Sequence, residues 1–133
     1  MAAEIHYETL DIIADDVPVV MVNLMNFKER SDDGDGTGWD AYLRYSKAVS
    51  PMIQSVGGRI IWAGGCFGPS FGPVEYGDWH YVALVYYPNK KAFIDFVGSP
   101  EYQGPNKHRE NGCERHVILA TEQKYGRFNT NTE

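Results

Sequence analysis

Asn23 is the residue whose type fits its surroundings least. It stands in the run VVMVNLMNF, a primary amide among valine, methionine and phenylalanine. A buried amide left unpaired costs roughly 1–3 kcal/mol, so Asn23 needs a partner. One account aims it at a substrate carbonyl or an oxygen-centred anion. The other is a structural hydrogen bond to a nearby loop. Titratable groups gather further on, where Ser99-Pro100-Glu101-Tyr102 is followed by His108-Arg109-Glu110. Arg109 suits a carboxylate or an enolate, and His108 suits proton transfer near neutral pH. A solvated helix face accounts for the same pair. Tyr42, Tyr45, Trp62, Trp79, Tyr81 and Tyr102 belong to a set of 9 tyrosines and 3 tryptophans. Such a set suits a pocket for a flat, partly polar organic molecule, or an aromatic core with locally satisfied hydroxyls.

Other chemistries fit the spacing less well. In SDDGDGTG, counting twelve from Asp32 or Asp33 reaches Leu43 or Arg44 rather than the glutamate a calcium loop needs. Cys113 and His116 lack the paired spacing of a four-ligand metal site. GGCFGPSFG has no Lys-Ser/Thr and no following helix, so it does not read as a phosphate cradle. A haem site needs an axial histidine. His80 and His116 are strand residues, and nothing singles either out.

The elements that must position these groups follow from periodicity. From Pro18 to Gln123 the order is strand, helix, strand, strand, helix, strand. In the first strand Val20, Val22 and Leu24 share one face, and Val19, Met21, Asn23, Met25 and Phe27 the other. Residues 39–56 place Tyr42, Tyr45, Val49, Met52, Ile53 and Val56 on one helical stripe, with a kink or a fresh turn expected at Pro51. Arg59–Ala63 begins the second strand, which Gly64-Gly65 should bend. WHYVALVYY is the third strand. Asn89 caps a helix that buries Ala92, Phe93, Phe96 and Val97. Residues 101–111 read as a short extra helical turn, and HVILATE as the fourth strand. Residues 1–17 read as an N-terminal extension and 124–133 as a polar tail around a single domain, 18–123. Every strand is apolar on both faces, whereas two helices cover one face of a four-stranded sheet. A second copy is the simplest cover for the other, which predicts an α+β homodimer joined through the sheet face.

VNLMNF, GWDAYLRYSKAVSPMI, GGRIIWAG, the strand led by Trp79 and KKAFIDFVGSPEYQGPNKHRE, in that order, resemble the domain-of-unknown-function family thirteen-thirty. The resemblance implies a ferredoxin-like βαββαβ topology and a dimeric α+β barrel. The family's recurrent features stand here as Asn23 and Phe27, Tyr42 and Tyr45, Gly58 and Arg59, the Ser99–Tyr102 turn, and His108-Arg109. The glycine-rich loop before Cys66 and the C-terminal tail depart from its pattern. The wider superfamily includes cofactor-independent oxygenases, lactone isomerases, polyketide cyclases, haem enzymes and ligand-sensing domains. Fold alone does not choose among them.

Bulk properties narrow the field. The 133 residues suffice for one domain, 43% are hydrophobic, and the net charge is −6. An acidic surface disfavours nucleic acid and anionic membranes as partners. No apolar run exceeds strand length, no export signal is visible, and Cys66 and Cys113 read as reduced thiols, so the expected location is the cytoplasm. The combined expectation is a homodimer that binds a flat, phenolic or enolisable molecule between sheet and helices. Asn23, Arg109 and His108 would do the chemistry, and Tyr42, Tyr45, Trp62, Trp79 and Tyr102 would hold the substrate. Neither cofactor nor metal is called for. This describes an oxygenase, isomerase or cyclase without a bound cofactor. The alternatives are a non-catalytic binding or accessory protein and a structural dimer with a filled core.

Overall fold

A computed structural model describes residues 5–126. The elements run α1 (Tyr7–Asp11), β1 (Val19–Phe27), α2 (Gly38–Ser55), β2 (Arg59–Gly65), β3 (Tyr81–Tyr87), α3 (Lys90–Val97), α4 (Gln103–Gly112) and β4 (Cys113–Thr121). Single 3₁₀ turns occupy Val74–Tyr76 and Pro100–Tyr102. The strands form one antiparallel sheet of order β2-β3-β1-β4. Both helical crossovers therefore return over the same face, as the split βαβ order requires.

The core lies between that face and the helices. Val19, Met21 and Met25 of β1 are almost fully buried against Tyr42, Tyr45, Val49 and Ile53 of α2 and Phe93 and Phe96 of α3. α2 starts on a reciprocal cap: Thr37 Oγ1 accepts from the Asp40 amide at 3.0 Å, and the Asp40 carboxylate accepts from the Thr37 amide at 2.9 Å. The helix runs through Pro51 without ending. Proline removes one hydrogen bond to the carbonyl of exposed Lys47, which water can satisfy. At the start of α2 the backbone of β1's end, α2 and α4 meet. A Cβ on Gly38 would lie 2.2 Å from the Lys28 carbonyl oxygen and 2.6 Å from that of Gly112, so only glycine fits.

Three expectations are corrected, and the N-terminal segment gains a detail. The extra turn after Ser99-Pro100 is a full helix, α4, packed along α2. β4 begins at Cys113, before His116. The irregularity in β2 falls at Ile61, between Ile60 and Trp62, rather than at the glycines. The N-terminal extension is docked: Leu10 joins the core, and Lys90 Nζ donates to the carbonyls of Leu10 at 2.9 Å and Ile13 at 2.6 Å.

The face away from the helices carries Val22, Leu24, Val82, Leu84, Val117 and Leu119. Leu119 is 49% exposed and Val117 40%, so this chain alone leaves much of that face open.

Candidate functional site

The centre of the site is a hydrogen-bonded row through the sheet. Arg109 Nε donates to Asn106 Oδ1 at 2.7 Å, and its Nη1 lies 3.2 Å from His116 Nδ1. Guanidinium has no acceptor, so His116 Nδ1 must accept. The imidazole proton then sits on Nε2, which lies 2.9 Å from Asn23 Oδ1 and donates to it. That leaves the Asn23 amino group to donate to the backbone carbonyls of Met21 at 3.2 Å and Ala83 at 3.4 Å. The odd amide of β1 is thus fully engaged, and its direct partner is His116 rather than an open space.

Strand phase explains why these groups meet. Asn26 pairs with Arg115 and Phe27 with Cys113, so Glu114 is bulged out. His116 then falls opposite Met25 and Ile118 opposite Asn23, on the helix side. Burial and the Arg109 charge lower the His116 pKa to about 3, so the ring is neutral at physiological pH.

Two cavities flank this row. Between sheet and helices lies a void of about 40 Å³ touching Asn23, Tyr42, Tyr45, Tyr102 and His116. It has room for about one water, not for an organic ligand. Beside it, between α1, α3, α4 and the edge strand β4, lies a cleft of about 480 Å³. Ile5, Leu10, Met21, Phe93, Val97 and Ile118 give it apolar walls, and Tyr102, Arg109 and His116 are its polar groups on the core side. His6 and Thr9 of the N-terminal segment also line it. Tyr102 and His116 border both spaces.

The tyrosines form a buried chain. The hydroxyls of Tyr45 and Tyr102 lie 2.8 Å apart. Burial raises the Tyr42, Tyr45 and Tyr102 pKa values, and the nearby Arg109 guanidinium partly opposes the rise at Tyr102. All three are therefore neutral phenols. Cys113 is pushed up to about 11 by burial and is a thiol.

The expected site residues divide accordingly. Arg109 and Tyr102 line the cleft, and Asn23 reaches it through His116. Tyr42 and Tyr45 line only the small void, as parts of the core. Trp62 is on the opposite face of the sheet. The bulge at Ile61 puts Ile60 opposite Val85, facing inward, and turns Trp62 outward opposite Leu84. Trp79 lies in the β2–β3 connection with the Arg115 guanidinium 4.3 Å from its ring centroid. His108 lines neither cavity: it is about 100° around α4 from Arg109, and its Nδ1 is buried without a partner. Sequence reasoning assigned no role to His116, Asn106 or the α1 wall. His116 was findable, because it alternates in phase with Ile118 and Ala120. Among the described residues, no cluster of three or more metal-ligating side chains occurs, and no helix is long and apolar enough to cross a membrane.

The sequence profile of a family described as a domain of unknown function, DUF1330, matches residues 35–123, more than half of the chain. The chain belongs to the DUF1330 family. Comparison with curated proteins returns no match. Among solved structures, a protein of unknown function from Rhodopseudomonas palustris is similar at 24% identity and a TM-score of 0.78, over 90% of this chain and 92% of that one. A dimeric protein of unknown function with a ferredoxin-like fold, from Bacteroides fragilis, matches at 13% identity and 0.55, over 83% of this chain and 100% of that one. A hydroxynitrile lyase from Passiflora edulis matches at 13% and 0.58, over 84% and 97%. Identities this low establish the ferredoxin-like fold for this DUF1330 chain and carry no activity across.

Proposed function

We propose that this protein binds a small organic molecule in the cleft beside β4, as a homodimer joined through the open sheet face. The observation that carries the reading is a cleft of about 480 Å³ whose apolar walls converge on Arg109, His116 and Tyr102. That volume lies within the range of ligand pockets, about 300–1,000 Å³, and few placed polar groups among apolar walls is the usual composition of such sites. The dimer is supported by the apolar face of Val22, Leu24, Val82 and Leu84 and by the Bacteroides fragilis relative, which is dimeric. Native mass spectrometry of the protein purified from its own host tests both parts. The expected spectrum is a dimer with a retained small molecule that the Arg109→Ala variant lacks. An empty protein that also shows no thermal shift with a panel of aromatic acids, phenols and ketones overturns the binding reading.

A catalytic version has one observation in its favour: among the described residues, the one arginine that lines the cleft stands beside a phenol and an imidazole. In that version His6, which also lines the cleft, accepts the α-proton while Arg109 stabilises the oxygen of the enolisable carbonyl as charge develops. Asn23 positions His116 and does not touch the substrate. Exchange of the α-protons of phenylacetone with heavy water, followed by NMR, is the check. Enzyme-dependent exchange that disappears in Arg109→Gln supports catalysis. No exchange above the buffer rate leaves the protein a binder.

A further inference from the structure

Arg109 differs from Arg44 and Arg115 in what surrounds it. Arg44 lies 3.8 Å from both Asp33 and Asp35, and Arg115 lies 3.4 Å from Asp78. Among the described residues Arg109 has no ion-pair partner. The groups it meets are neutral: the Asn106 amide oxygen, His116 Nδ1 and the Tyr102 hydroxyl. A guanidinium has five N–H donors, and these three partners leave others for the cleft that it lines. A half-buried cation with no counter-anion carries a desolvation cost that a bound anion removes.

We propose that the cleft takes hydrophobic monocarboxylates, with the carboxylate on Arg109 and the apolar body against Ile5, Leu10, Met21, Phe93, Val97 and Ile118. This rests on the reading of the cleft as a ligand site and names its ligand class. A carboxylate fits the planar fork of a guanidinium through two parallel hydrogen bonds. It also arrives ionised at neutral pH, whereas a phenol titrates near 10 and must first lose its proton. A single charge is matched because His116 accepts from Arg109 on Nδ1 and so adds no second cation. A phosphate-type dianion would keep an uncompensated charge among apolar walls. Away from His6 and Thr9 the apolar walls leave a polar body without hydrogen-bond partners, which selects against hydroxy-rich acids.

Calorimetric titration of the full chain at pH 7.5 with 3-phenylpropionate, 3-phenylpropionamide and phenylphosphonate tests the class. The acid is expected to bind at least tenfold more tightly than the amide, and the phosphonate no more tightly than the acid. In Arg109→Gln the acid weakens at least tenfold while the amide is unchanged. Arg109→Lys retains most of the preference and supplies the test should the glutamine variant not fold. Acid and amide binding equally to the wild type, or a preference that survives Arg109→Gln, overturns the carboxylate class and leaves the cleft a ligand site. A phosphonate tenfold tighter than the acid overturns the single-charge match. Failure of every probe at millimolar concentration, together with an empty protein in native mass spectrometry, removes both readings.

Discussion

At the scale of single residues, the row from Arg109 to Asn23 holds a neutral imidazole in a place where protonation is costly. The His116 pKa is about 3 in the folded chain against 6.5 ordinarily, so as pH falls the unfolded chain takes up the proton first. The stability that His116 contributes is complete above pH 6.5 and declines by about 1.4 kcal/mol per pH unit between 6.5 and about 3. Urea unfolding of the wild type at pH 7, 6, 5 and 4.5 should show that decline. His116→Gln should be less stable at pH 7, because Asn23 and Arg109 lose a matched partner, yet flatter with pH. An equal slope in the two proteins counts against a buried neutral His116. The carboxylates of Asp33 and Asp40 are held below their ordinary range by hydrogen bonds to Ser31 and Thr37, so their effect appears only at lower pH. Asn23 and Arg109 were legible as unusual residues from their types alone. His116 was not selected, because its role depends on a partner 93 positions away across the sheet. His108 was read into the site from its adjacency to Arg109, but neighbours on a helix point about 100° apart.

At the scale of elements, two junctions carry more than their length suggests. Gly38 lets the start of α2 close against the Lys28 and Gly112 carbonyls. Gly38→Ala should cost about 3 kcal/mol, the upper part of the usual range for overpacking, measured as a lowered urea midpoint. An unchanged midpoint would mean the junction relaxes freely. The second junction is Lys90, which holds the N-terminal segment by two carbonyls and by Asp15 at 3.4 Å. Lys90→Met removes those bonds, and hydrogen exchange in residues 5–16 should accelerate at least tenfold while the β1 amides keep their protection. If those amides exchange at the wild-type rate, Leu10 packing alone seats the segment. The four strands and the two crossover helices were legible because their apolar periods are long and consistent. α4 was read as a short turn because Gly104, Pro105 and Gly112 are poor helix residues, although Pro105 stands in the first turn, where proline is tolerated. The bulge at Ile61 left no trace in the alternation, and it decides which way Trp62 faces.

At the scale of the whole molecule, the sheet is covered on one face by helices and open on the other. Leu84 lies near the centre of the open face, paired with Val22 and Trp62. A charge there should disfavour any copy-to-copy contact. Leu84→Asp and Val20→Asp are expected to give aggregated or unfolded protein in size-exclusion chromatography with light scattering. A soluble, folded monomer from both variants would overturn the homodimer. The double-sided apolar strands are what led to the expectation of self-association, because apolar area left in water is costly.

By itself the sequence determined the α+β class, the order of elements along the chain, the division of β1 into two faces, and the need for a partner at Asn23. These depend on local period and on the cost of an unpaired buried amide, both of which act within a few residues of the chain. The tertiary structure alone decided that the partner is His116, that the space among the tyrosines is nearly filled, and that the open cleft lies beside β4 under the N-terminal segment. Those outcomes turn on strand register, on bulges at Ile61 and Glu114, and on the docking of α1 by Lys90. Each brings together residues far apart in sequence, and no local pattern encodes the phase in which they meet.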